Sequence, residues 1–148
     1  MIKFLDWSDE YETGIDAIDE DHQKLFKAVN DLHDSYAIKD GNTHFAELFD
    51  ILSDYVDYHF AREEEVMRGM GYPQLESHIV SHRELAATVH EYAKIYRSDP
   101  QAISRKVILD FLGNWLSKHI LGSDMDYVPY VKAKKVEPAA ELEPPPPV

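Results

Sequence analysis

The stretch FAELFDILSDYVDYHFAREEEVM, residues 45–67, decides the fold. Its apolar residues Phe45, Leu48, Phe49, Leu52, Val56, Phe60 and Met67 recur at the three- and four-residue steps of an amphipathic helix. His59 and Glu63 continue the same stripe, four positions apart. That spacing stacks two side chains on one helix face, separated by one turn of about 5.4 Å. An imidazole and a carboxylate on a buried face are costly unless something pairs with them. The helix expected over residues 43–69 therefore carries a polar site on its core side, and Gly69, Gly71 and Pro73 end it.

The same pattern repeats on either side. Upstream, Leu25, Phe26, Val29, Leu32 and Tyr36 mark a helix over residues 19–38, with His22 on the stripe and Lys39-Asp40-Gly41-Asn42 as the following turn. Downstream, Leu75, Ile79, Leu85, Ala86, Val89 and Ala93 mark a third helix over residues 74–97, and His78 and His82 sit four apart on its inner face. Asp99-Pro100 is an N-cap and first-turn pair for a fourth helix carrying Ile103, Val107, Phe111, Leu112, Trp115, Leu116, His119 and Ile120, which loosens near Gly122. Residues up to 18 read as an irregular arm anchored by Trp7, Tyr11 and Ile15. The expected class is all-α: an antiparallel up-down-up-down four-helix bundle with an N-terminal irregular arm, spanning residues 1–130. Residues 131–148, ending Glu-Pro-Pro-Pro-Pro-Val, are expected to be a disordered or polyproline tail outside the bundle.

Bulk properties exclude several functions. The net charge is -13, and the last 18 residues hold three Lys and three Glu, so the whole excess lies in the bundle. A surface this acidic repels nucleic acid and anionic lipid and favours a monomer. With no cysteine, the chain has no disulfide, thiolate metal site or cysteine nucleophile. No apolar run approaches the ~20 residues that span a bilayer. The N-terminus has no secretory pattern, so a cytoplasmic location is expected. No phosphate-binding loop, dinucleotide fingerprint or nucleophile elbow is present.

A lone histidine on an apolar face is usually an ordinary core residue, and a single carboxylate at the edge of a stripe is usually solvated. The combination differs. Each of the four helices places at least one histidine on its core side (His22, His59, His78 with His82, and His119), and Glu63 and Asp124 join them. Seven ligands are too many for one ion. Mixed imidazole and carboxylate without thiolate suits iron, manganese or zinc, and carboxylates can bridge two ions. No Glu-x-x-His motif occurs, unlike the carboxylate-rich di-iron oxygenases. His33, His44 and His90 have no spaced partner and are read as lying outside the site.

At these residues the chain resembles the hemerythrin family in its single-domain bacterial form. The resemblance rests on Gly-Ile-Asp-x-Ile-Asp-x-x-His at 14–22, His-Phe-x-x-Glu at 59–63, His-x-x-x-His at 78–82 and His-x-x-x-x-Asp at 119–124, and it covers about residues 7–130. Asp21 stands where the family often has Gln, and it is a candidate to perturb the hydrogen bonding of His22. The resemblance implies two iron ions, one held by His78, His82 and His119 and the other by His22 and His59. Glu63, Asp124 and an oxo or hydroxo group would bridge them. It implies an open sixth position on the second iron, where dioxygen would bind. It also implies that Phe60, Trp115, Leu116 and Ile120 line the oxygen site.

The five-residue spacing of His119 and Asp124 overshoots one helical turn by about 140°, so a break at Leu121-Gly122-Ser123 is expected, with Gly122 leaving the helix. Tyr127 and Tyr11 are candidate neighbours of the site. The leading reading is a non-enzymatic oxygen binder for storage, delivery or buffering. One alternative is a sensor of oxygen, nitric oxide or redox state that acts through a protein partner, with the Pro-rich tail as the recruiting segment. Another is a di-iron oxidoreductase.

Overall fold

The computed structural model describes residues 4–36 and 42–133. The expected turn at 39–41 and nearly all of the Pro-rich tail lie outside them. Four helices form the bundle: α1 (Asp16–Tyr36), α2 (Asn42–Met70), α3 (Leu75–Ser98) and α4 (Arg105–His119), followed by the short α5 (Val128–Ala133). No strand occurs among the described residues. α1 packs on α2, α2 on α3 and α4 on α1, giving the expected four-helix bundle.

The ends of the helices show why they stop where they do. α1 begins three residues earlier than the stripe suggests. The Asp19 carboxylate accepts the backbone N–H of Thr13 (2.8 Å), the Thr13 hydroxyl (2.8 Å) and the N–H of Gly14 (3.3 Å), which locks the entering chain. Gly14, with φ 89°, supplies the left-handed residue of that entry. α2 ends on Gly71 at φ 68°, where Gly71 N–H bonds the Arg68 carbonyl and Tyr72 N–H bonds the Met67 carbonyl, both at 3.1 Å. This is a Schellman cap closed by the Tyr72–Met67 apolar contact.

The expected start of the fourth helix is corrected. Asp99 caps the end of α3, its N–H bonding the Ile95 carbonyl, and its side chain accepts the Gln101 N–H at 3.0 Å. α4 starts after Ser104, whose hydroxyl accepts the Val107 N–H at 3.0 Å. Both residues are good capping types, so the local sequence alone does not rank them.

The expected break after His119 is also corrected. Residues Ile120–Asp124 form a π-helical turn that runs directly into a 3-10 turn, Met125–Tyr127, and then α5. Gly122 stays inside the π turn, and among the described residues only Gly14 and Gly71 have positive φ. A π turn holds one extra residue, which absorbs about 100° of the 140° overshoot. His119 and Asp124 thus face the same way without the helix ending.

Two apolar clusters fill the bundle. The larger contains Leu25, Phe49, Leu52, Val56, Phe60, Val89, Leu112 and Leu116, among others. The smaller contains Ile18, Val66, Met67, Met70, Tyr72 and Tyr127. On α1 and α2 the polar candidates fall between them: His22 between Ile18 and Leu25, and His59 and Glu63 between Val56 and Val66. The arm packs as expected, with Trp7 and Tyr11 against Phe26 and Ile15 against the smaller cluster.

Candidate metal centre

All seven candidate residues are buried, with Glu63, Asp124 and His22 at 0% exposure. Their ligand atoms form two overlapping groups, each with atoms within 4.8 Å of one another. Glu63, His78, His82, His119 and Asp124 make one, and His22, His59, Glu63 and Asp124 make the other. Glu63 and Asp124 belong to both.

The individual distances show convergence on shared points. His82 Nε2 is 2.9 Å from Glu63 Oε1, His119 Nε2 is 3.0 Å from Asp124 Oδ1, and His78 Nε2 is 3.1 Å from the same oxygen. In the other group His22 Nε2 lies 3.0 Å from His59 Nε2 and 3.2 Å from Asp124 Oδ2. Even so, His82 Nε2, His119 Nε2 and both Asp124 oxygens are buried without a hydrogen-bond partner among the described residues. Close approach without hydrogen-bond geometry means that these lone pairs aim at a common point and not at each other. Donors about 2.1 Å from one ion and at right angles stand about 3.0 Å apart. The residues present therefore fit a pair of metal ions.

The electrostatics agree. Burial disfavours charge on every imidazole here, yet the Asp124 and Glu63 carboxylates push His22 up to about 10 and His78 up to about 9. Burial and the neighbouring His22 push His59 down. Burial would raise both carboxyls, but the facing histidines hold Glu63 and Asp124 well below the usual carboxylate range. A metal-free centre keeps its shape by trapping protons where cations belong.

Several residues around the site were not placed by the sequence. Tyr127, fully buried, donates its hydroxyl to Glu63 Oε2 at 3.0 Å. Asp21 bonds His59 and not, as expected, His22: its Oδ2 lies 3.2 Å from His59 Nδ1. Adjacent helical residues point about 100° apart, so Asp21 faces α2 while His22 faces the centre. Glu64 reaches His82 Nδ1 at 2.7 Å. Tyr11 packs on Trp7 and Phe26.

Of the expected apolar lining, Phe60 lies flat on His82, with ring centroids 3.9 Å apart and a 4° interplanar angle. Trp115 stands edge-on to Phe60 at 5.8 Å and tilts toward His119. Leu116 and Ile120 are buried in the same cluster. Outside the site, His44 is exposed, His33 stacks on Phe4, and His90 bonds Ser53 and Asp57.

A four-helix bundle whose inward histidines share two carboxylates between two donor groups defines a dinuclear metal-binding protein. Residues 13–131 match the family model of the hemerythrin HHE cation binding domain. The chain belongs to the hemerythrin family. It is 34% identical over 132 residues to a bacteriohemerythrin of Stenotrophomonas maltophilia, an alignment covering 87% of this chain and 82% of that protein. It is 30% identical over 125 residues to a bacteriohemerythrin of Clostridium acetobutylicum, covering 82% of this chain and 97% of that one. Its fold superposes on a crystal structure of wild-type hemerythrin with TM-score 0.80 and 29% identity, covering 86% of this chain and 98% of the other. Among the described residues, no helix is long and apolar enough to cross a membrane.

Proposed function

We propose that this protein binds dioxygen reversibly at a di-iron centre, for storage, delivery or buffering. The observation that carries the reading is the set of buried, unpartnered ligand atoms converging from four helices, with two carboxylates common to both donor groups. His78, His82 and His119 would hold one iron and His22 and His59 the other, with Glu63 and Asp124 bridging. When bound, the two irons supply one electron each to dioxygen and recover them on release.

The chain's own residues set the conditions. Tyr127 holds one oxygen of Glu63, so the carboxylate keeps a fixed orientation toward both groups. Phe60 and Trp115 pack over His82 and His119 and keep water from that side. A dry surround slows the side reactions that would consume a reactive intermediate. The histidine-rich donor set favours a contained redox cycle over strongly oxidising chemistry.

The test is spectroscopic. Reduced, iron-loaded protein is exposed to oxygen and then returned to anaerobic conditions, with oxygen uptake measured in parallel. A visible absorption that appears and then bleaches, with one oxygen taken up and released per chain, supports the reading. Continuous oxygen consumption, or direct passage to a permanently oxidised form, refutes it in favour of turnover or sensing.

A further inference from the structure

Asp21 is a buried carboxylate, 2% exposed, with three polar neighbours. His59 Nδ1 lies 3.2 Å from its Oδ2, Tyr55 donates its hydroxyl to Oδ1 at 3.0 Å, and Arg62 Nε stands 3.6 Å from Oδ2. Arg62 Nε is buried without a hydrogen bond, and its Nη1 bonds the Tyr58 hydroxyl instead. The carboxylate is therefore shared between one ring N–H and one phenol, with the guanidinium as a nearby charge.

The contact fixes the His59 tautomer. With Nδ1–H donated to Asp21, the lone pair sits on Nε2, which faces His22 Nε2 and Glu63 Oε2. A carboxylate behind a ligand histidine raises its basicity and strengthens its donation to a metal. The arrangement is one-sided. His22, the other histidine of that group, has its Nδ1 buried with no partner. His82 has Glu64 behind it, but Glu64 is 22% exposed and water screens its charge. Asp21 acts from the interior, where charge is felt more strongly.

We propose that Asp21 is a positioning residue that sets the donor strength of His59, and that the Tyr55 hydroxyl holds this strength in check. The proposal rests on the di-iron reading and goes beyond it. It makes the iron held by His22 and His59 electronically tunable through residues that touch no metal. Asp21→Asn keeps the shape but offers a neutral acceptor, so His59 becomes a weaker donor and the reduction potential rises. Tyr55→Phe leaves Asp21 its full charge for His59, so the potential falls. Two variants that each remove one polar contact of the same cluster thus move the potential in opposite directions.

The experiment uses the full chain loaded with iron. It measures the reduction potential by spectroelectrochemical titration, ferrous affinity by chelator competition and thermal unfolding. Asp21→Asn is expected to weaken metal binding about 10–100-fold. A tenfold preferential loss of the ferric form corresponds to a rise of about 59 mV. A purely structural Asp21 would lower the unfolding temperature in both variants and leave the potential unmoved, which would overturn the proposal. So would shifts of the same sign. If Asp21→Asn does not fold, Tyr55→Phe decides alone, because an unchanged or raised potential contradicts the mechanism. A parent chain that takes up no iron would sink the di-iron reading itself, a separate outcome.

Discussion

Phe60→Ala removes the ring that lies on His82, stands edge-on to Trp115 and borders His59 and His119. Phe60 is 5% exposed, so nearly all of its side chain is lost from the core. Truncating a buried Phe costs about 3–5 kcal/mol, the upper end applying where the surroundings cannot collapse. Here the neighbours are on different helices, His82 on α3 and Trp115 on α4, and no single rotamer change closes the gap. The lost aromatic contacts add roughly 0.5–1.5 kcal/mol per pair beyond area. A cost near 4 kcal/mol is therefore expected, a drop of roughly 10 °C in Tm for a chain of this size. Phe60 also forms part of a surface depression of about 200 Å³ that includes Asp57, Ala61, Glu64, Arg83 and Ala86 and reaches His82. Opening that wall admits water, so loss of the ferrous state in air should accelerate. Phe60→Leu keeps the wall apolar and should cost about 1.5 kcal/mol or less. The assay is denaturant unfolding of metal-free protein, with the oxidation rate of the loaded form measured alongside. Equal costs for Ala and Leu, or a cost below about 1 kcal/mol for Ala, would refute the packing argument.

Other consequences are equally direct. His82→Ala should abolish loading of two irons and destabilise the fold, because buried carboxylates lose their counter-charge, while His90→Ala should leave iron content unchanged; metal analysis with thermal melts decides. Tyr127→Phe deletes a hydrogen bond to a buried carboxylate and should cost about 1.5–3 kcal/mol, read by denaturant unfolding. Metal-free protein should depend on pH in both directions. His22 and His78 lie above the ordinary 6.5, so their contribution is complete below pH 6.5 and lost as pH rises through about 9 and then 10. Glu63 and Asp124 lie below their ordinary values, so their contribution is lost as pH falls through the acid range. Chelating the metal should therefore uncover an alkaline loss of stability in pH-dependent melts, and metal uptake at pH 7.5 should release protons into weak buffer. Uptake without proton release would contradict the assignment of charge within the site.

The fold and the candidate residues were legible because both arise from one pattern. The stripe through Phe45, Leu52, Val56, Phe60 and Met67 could make only a helix, and polar residues on that stripe had to be buried together. What the sequence did not show depends on phase and competition between elements. Asp21 and His22 are neighbours in sequence, but which of them meets α2 depends on how α1 is rotated against it. Asp99 and Ser104 both carry capping chemistry, and only the path between α3 and α4 selects Ser104. The His119–Asp124 spacing demanded an irregularity, and either a break or an inserted residue satisfies the angle. The observed π turn keeps the backbone hydrogen-bonded through the site. Tyr127 lies one turn beyond Asp124, but nothing local aims its hydroxyl at Glu63 across the bundle.

The central claim is that these seven residues hold two irons between four helices. Anomalous diffraction from crystals of the iron-loaded protein, collected on both sides of the iron absorption edge, tests it most directly. The account predicts two peaks per chain, one among His78, His82 and His119 and one beside His22 and His59, with Glu63 and Asp124 reaching both. A single peak, or iron seated away from these residues, would contradict it.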